Sequence, residues 1–429
     1  MPSTNDRLLR FLSRSPTPYH AVANIQSRLE TAGFVQLEEG QDWSGLGPGN
    51  YFVTRNDSSL IAFKSAPSPE TTGYRLVGAH TDSPCLKVKP NAITVNHGYA
   101  KLGLEVYGGV LLNPWFDRDL SLAGRVTLRQ ANGQIAHYLI DFDRPMAFIP
   151  SLAIHLDRTA NEERCINKQK HLPAVLCRCD GAEPDFDSIL GAQLKAQYPD
   201  IAIDRILAFE LSLYDHQPAS LVGLESEFIA SARLDNLLSC HGAVEAMIQS
   251  KTRSNQMMVL NDHEEVGSAS TSGAEGPFLL SVIQRLCGTE ELAQRAISHS
   301  MMISADNAHG VHPNYAELHE PMHQPLINKG PVIKLNSNQR YATNSETEGM
   351  FRHLCERHGL PCQTVVVRSD MGCGSTIGPI TATRLGVRTI DIGVPQLGMH
   401  SIRELAGAED QATLAGVLTA FYDTEDWMF

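Results

Sequence analysis

Four times in this chain a short apolar run stops at residues able to hold a metal ion. YRLVG leads into Ala79-His80-Thr81-Asp82. MMVLND leads into His263-Glu264-Glu265. MMIS leads through Ala305 into Asp306, Asn307 and His309. VRTIDIGV is followed a few residues later by His400. Runs of this length read as buried strands. Between them lie LDNLLSCHGAVEAMIQS, GPFLLSVIQRLC, TEGMFRHLCERHG and EDQATLAGVLTAFYD, which carry helical periodicity, the first of them an amphipathic helix. RAISHSMMISAD, PVIKLN and QTVVVRSD read as further strands. Strand alternating with helix predicts an α/β fold with a mostly parallel sheet flanked by helices. Such sheets present ligand-binding groups at the carboxyl ends of their strands.

The texture changes between about Asn91 and Glu227. GYAKLGLEVYGGVLLNPW, AGRVTLRQANGQIAHYLIDF and ILAFELSLYD read as strands and hairpins, with an Asn132-Gly133 turn. A chain of 429 residues exceeds one ordinary core. The expected organisation is an α/β domain built from 1–90 and 228–429, interrupted by a β-rich domain over 91–227. Near the start, two helices are expected, over Leu8–Leu12 and Tyr19–Phe34, broken at Ser15-Pro16-Thr17-Pro18.

Charge narrows the function. A net charge of −13 argues against a nucleic-acid or anionic-membrane partner. No run approaches the length of a membrane span, and the first twenty residues lack the apolar core of a signal peptide. The nine cysteines show no framework spacing. Reduced thiols and a cytoplasmic location are expected.

Glu264 and Glu265 are adjacent at a strand end, where neighbouring side chains aim differently. One of them can hold a metal while the other reaches a water on that metal. His80, Asp235, Glu265, Asp306 and His400 form a mixed imidazole and carboxylate set. Such donors suit zinc, with cobalt or manganese as alternatives. Five ligands are too many for one catalytic zinc and fit two sharing a carboxylate, about 3.5–4 Å apart. Asp82, two residues after His80, is placed to accept the second N–H of that ring. Lys334 ends an apolar strand, an unusual place for a lysine unless it meets an anion. The alternative is a snorkelling surface lysine. His309 follows Asp306 closely enough to stabilise an oxyanion.

Three patterns mislead. His319-Glu320-Pro321-Met322-His323 spells a zincin motif, but Pro321 breaks the helix that motif needs. Met371-Gly372-Cys373-Gly374-Ser375-Thr376 lacks the lysine of a phosphate loop. Asp370 competes with Asp306 as a ligand.

Taken together, GAHTDSP, SARLDN, NDHEEVGS, SADNAHGVHPNY, PVIKLNSNQRYA, RSDMGCGSTIGP and GMHSIRE resemble the aspartyl aminopeptidase family of dinuclear zinc metallopeptidases (metallopeptidase family 18). The likeness runs from FLSRSPTPYHAV to GMHSIRE. It implies a catalytic α/β domain interrupted by a dimerisation domain, and dimers assembling into a tetrahedral dodecamer. It implies removal of an N-terminal residue, Asp or Glu, from peptides with a free amino terminus. One zinc would take His80, Asp235 and Asp306. The other would take Asp235, Glu265 and His400. Glu264 matches the general base, and the block around Asp306 favours it over Asp370. Lys334 and Tyr341 match the substrate pocket, and His155 a histidine reaching a neighbouring subunit's site. Rival readings are another dinuclear amide hydrolase, such as a carboxypeptidase or deacylase, and an assembly or cargo protein that keeps the fold without the chemistry.

Overall fold

The structure, a computed structural model, describes residues 2–252 and 254–424. Two compact units are present. One takes the chain up to Asp82, Ala219–Met399 and the chain from Glu404 onward. The other takes Ser83–Pro218 and His400–Arg403.

The first unit is built on a nine-stranded sheet. Its order is Val35–Leu37, Gly49–Arg55, Ser59–Ser65, Gln256–Asn261, Arg75–His80, Met301–Ala305, Arg388–Gly393, Val332–Leu335, Gln363–Val366. The four strands from Gln256–Asn261 to Arg388–Gly393 run parallel to one another. Antiparallel pairs flank them on both sides. The strands Arg75–His80, Gln256–Asn261 and Met301–Ala305 are buried at every position. That is why they read as unbroken apolar runs: helices cover both faces. Alternate side chains enter opposite cores. Val77, Met258, Leu260 and Ile303 pack on one face, and Leu76, Met257, Val259 and Met302 on the other.

Thr17 caps the second helix, Pro18–Thr31, and Pro18 takes its first position, which explains the break after Ser13. Two expectations need correction. The helix Leu234–Gln249 is not amphipathic: every residue from Leu234 to Met247 is buried. It packs against the central strand Arg75–His80 and is overlaid by the helices Thr4–Ser13, Pro18–Thr31 and Asp410–Asp423. In RAISHSMMISAD, Arg295–Ser298 closes the helix Glu290–Ser298, and the strand begins only at Met301. Thr289 caps that helix by accepting the Leu292 amide at 3.2 Å. A second sheet of this unit was not legible in the sequence. It joins Ser220–Val222, Phe228–Ser231, Glu404–Gly407, Pro395–Leu397 and Ala308–His309, all short.

The second unit is a six-stranded antiparallel sheet. Its long strands Leu120–Gln130 and Ile203–Asp215 pair along almost their whole length. Leu120–Gln130 and Ile135–Asp141 form the hairpin around Asn132-Gly133, where Gly133 takes φ 85°. The strand Cys85–Asn96 pairs within this sheet, so the unit starts at Ser83, ahead of residue 91.

The buried helix Leu234–Gln249 is anchored by one carboxylate. Glu245 meets Arg7 Nη2 at 2.8 Å and also pairs with Arg28. Burial alone would raise its pKa. The Arg7 hydrogen bond and the charges of His241, Arg28 and Arg7 reverse that and hold it below 4.5. The pair's stabilisation is therefore complete above the unfolded value and is lost as pH falls through the lower folded one. Glu245→Ala leaves two guanidinium groups without their partner and should cost about 3 kcal/mol. Urea denaturation at neutral pH reads this loss. The deficit against wild type should shrink as pH falls below 4.5 and through the lower folded value.

Candidate metal centre

Three neighbouring parallel strands bring the sequence blocks together. Arg75–His80 lies between Gln256–Asn261 and Met301–Ala305, with Asn261 in register with His80. His80, the segment 262–265 and Asp306 therefore emerge at one edge. Asp235 arrives from the start of the buried helix Leu234–Gln249. Asp306 is held by its amide, which donates to Ile392 O at 2.9 Å. Gly393 makes this approach possible, because a Cβ there would run into the Asp306 carbonyl.

His80 is 1% exposed. Its Nδ1 faces two acceptors, the Asp82 carbonyl at 3.1 Å and Asp82 Oδ1 at 3.3 Å, so Nδ1 carries the proton. Its Nε2 lies 3.6 Å from Asp235 Oδ1 and 3.5 Å from Asp306 Oδ1. Ligand atoms around a tetrahedral zinc sit about 3.3 Å from one another. Both carboxylate oxygens stand near that spacing from Nε2, and the three ligand atoms lie within 4.8 Å of one another.

Glu264 and Glu265 are not on the strand. The strand ends at Asn261, His263 takes φ 64°, and Glu264–Val266 form a short 3-10 turn. The Asp82 carboxylate holds this turn, accepting the Glu264 amide on Oδ1 and the Glu265 amide on Oδ2, both at 3.1 Å. Asp82 thus touches His80 and both glutamates. Ligand atoms of His80, Glu264 and Glu265 also lie within 4.8 Å of one another.

The electrostatics are those of a cation site. Burial, with Asp306, Asp235 and Asp82 nearby, pushes Glu264 up to about 8 despite the opposing His80. Burial and Asp235 hold Glu265 well above its usual range. For His80, burial disfavours the charged ring. Hydrogen bonds to Asp235, Asp306 and Asp82 outweigh it and raise the pKa. Carboxylates crowded together out of water resist ionisation unless a positive charge joins them. A dication reverses all these shifts.

The remaining expected residues fall in several places. Lys334 is 3% exposed, with Nζ 3.4 Å from Asp306 Oδ2 and 5.4 Å from the Tyr341 ring centre. Its anion within the protein is therefore Asp306. Tyr341 and His309 line a cavity of about 300 Å³, shared with Arg368, Cys373, Gln396 and Met399. Of these, Arg368 and Gln396 had no signal in the sequence as site residues. His400 belongs to the second unit, where its Nδ1 donates to the Gly109 carbonyl at 3.0 Å. His155 lies on an exposed turn of that unit. Asp370 pairs with Arg368 at 2.6 Å and is not in any metal-ligating group among the described residues. His323 turns back onto Glu320 at 2.6 Å, off any helix.

Asp82→Ala removes the acceptor of two amides and one of the two acceptors facing His80 Nδ1, leaving only the backbone carbonyl. It should weaken metal binding tenfold to a hundredfold, read by competition with a chelator of known affinity.

The Aminopeptidase I zinc metalloprotease (M18) family matches residues 11–422. A protein of Pseudomonas aeruginosa (strain UCBPP-PA14), described as "Probable M18 family aminopeptidase 2", is 56% identical over 424 residues, covering 98% of each chain. A protein of Azotobacter vinelandii with the same description is 56% identical over 422 residues, again covering 98% of each chain. Among solved structures, a chain of the Ape4 and Nbr1 complex superposes with a TM-score of 0.94 at 38% identity, covering 98% of this chain and 85% of that one. The S. cerevesiae mApe1 dodecamer superposes with a TM-score of 0.83 at 27% identity, covering 97% and 96%. The chain belongs to the M18 family of zinc metalloproteases, and it is an aminopeptidase.

Proposed function

We propose that this protein removes an acidic residue, Asp or Glu, from the free amino terminus of peptides, using two zinc ions per subunit. The observation that carries the metal reading is the His80–Asp235–Asp306 trio, in which Asp235 Oδ1 and Asp306 Oδ1 stand 3.6 and 3.5 Å from His80 Nε2 and all three ligand atoms lie within 4.8 Å of one another. These residues would hold one zinc. Asp235, with Glu265 and His400, would hold a second. The His400 assignment rests on the sequence resemblance and on its ring, whose Nδ1 is committed to Gly109. Cobalt or manganese can take the same donors.

Bound zinc supplies a polarised water that deprotonates near neutral pH and a Lewis acid for the peptide carbonyl. The protein's own groups do the rest. Glu264 takes the proton from the attacking water and returns it to the leaving amine. Asp82 fixes the His80 tautomer and the turn carrying both glutamates. His309 stabilises the oxyanion. Lys334 touches Asp306 and lies near the ring of Tyr341, which lines the cavity, and we assign both to recognition of the acidic side chain. His155 of one subunit completes the site of another, through dimers formed by the β-rich unit and assembled into a tetrahedral dodecamer in the cytoplasm.

The test is hydrolysis of aspartyl, glutamyl, leucyl and lysyl peptides, before and after chelation, with metal add-back. Acidic peptides should be cleaved fastest, and zinc should restore the activity. Equal rates on all four peptides would remove the acidic preference. Glu264→Gln should keep the metals and lose about a hundredfold to ten-thousandfold in kcat. His155→Ala should reduce turnover with zinc content unchanged, measured by elemental analysis beside the assay.

A further inference from the structure

Asp235 and Asp306 are each followed by an asparagine, and the two asparagines cross. Asn236 Nδ2 donates at 2.9 Å to the carbonyl of Ala305, the residue before Asp306. Asn307 Nδ2 donates at 2.8 Å to the carbonyl of Leu234, the residue before Asp235. Asn236 is 0% and Asn307 2% exposed. Each carboxylate's backbone is thus tied to its counterpart's.

The same asparagine opens a longer chain. Asn307 Nδ2 also donates to Gln396 Oε1 at 2.8 Å. Gln396 Nε2 donates to Glu404 Oε1 at 3.3 Å. Glu404 Oε2 accepts the amide of Asp235 at 3.0 Å. The bonds close a loop from Leu234 through Asn307, Gln396 and Glu404 back to Asp235. Ser239 Oγ, one turn further along the same helix, donates to Asn307 Oδ1 at 3.2 Å. Gln396 and Glu404 are 1% and 2% exposed. Gln396 nevertheless contributes to the wall of the 300 Å³ cavity.

We infer that Gln396 is a positioning residue that links the cavity wall to the backbone presenting Asp235 and Asp306. This rests on the reading that those two aspartates hold zinc and that the cavity receives the substrate. The chemistry follows from burial. An amide with both ends engaged in a dry network has one orientation, because turning it would set like atoms against Asn307 and Glu404. That orientation fixes the gap between the helix start carrying Asp235 and the strand end carrying Asp306. Widening the gap by a few tenths of an ångström spoils the ligand spacing around His80. Moving the amide also reshapes the cavity. Metal affinity and substrate affinity should therefore fall together when it is removed.

Gln396→Leu tests this, with the wild-type protein measured alongside. Zinc affinity is read by chelator competition, KM and kcat at saturating zinc, and thermal stability without metal. The expected result is a zinc dissociation constant raised about tenfold or more, with a raised KM and a kcat changed less than KM. A folded variant with zinc affinity and KM within twofold of wild type overturns the inference. If this variant does not fold, Glu404→Gln replaces it. It preserves volume and one acceptor oxygen but breaks the charge-assisted bonds, and the same pair of outcomes decides. A merely structural glutamine would lower thermal stability and leave both affinities alone. Failure of the underlying reading would show separately, as wild-type protein that binds no zinc.

Discussion

Repulsion among buried carboxylates is the constraint on which this molecule turns. Asp82, Asp235, Asp306, Glu264 and Glu265 surround one imidazole in a site largely closed to water. Left alone, such a group takes up protons: Glu264 is pushed up to about 8, and His80 and Glu265 are raised as well. Only a rigid frame can hold the carboxylates against their own repulsion, and only cations relieve it. The frame here is a set of fully buried parallel strands, whose backbone hydrogen bonds fix the edge from which the candidate ligands emerge.

Around that frame the surrounding residues act on geometry more than on charge. Asp82 spends its carboxylate on the two amides of the glutamate turn and on the His80 ring. Lys334 is placed against Asp306, the one lysine close to the trio among the described ion pairs. Asn236 and Asn307 cross between the two aspartates. The site is thus surrounded by a layer of polar side chains whose bonds run to backbone. Such bonds fix where ligands stand without competing for the metal.

The chain advertises the candidate ligands His80, Glu265 and Asp306 clearly, because each closely follows an apolar run that reads as a buried strand, whereas Asp235 opens a helix. The local shape at those ligands is less legible. Glu264 and Glu265 read as a strand end, yet they form a 3-10 turn, because the Asp82 carboxylate captures both their amides from another part of the chain. Leu234–Gln249 read as amphipathic, yet it is buried all round, because three other helices cover its outer face. RAIS read as strand, yet Thr289 caps a helix that runs through it. Each difference comes from a partner distant in sequence or from a cap whose effect outweighs apolar pattern.

By itself the sequence determined the alternation of strand and helix, the β-rich interruption, and the residue types able to bind a metal. Periodicity and side-chain chemistry are local properties, so they survive in a one-dimensional reading. Tertiary structure alone decided which of these residues meet, and at what distance. It set His80 between Asp235 and Asp306, turned Lys334 onto Asp306, and carried Gln396 and Glu404 to the back of the Asp235 amide. Those meetings depend on strand order, on register and on loops that close over hundreds of residues. None of the three is written in any short stretch of the chain.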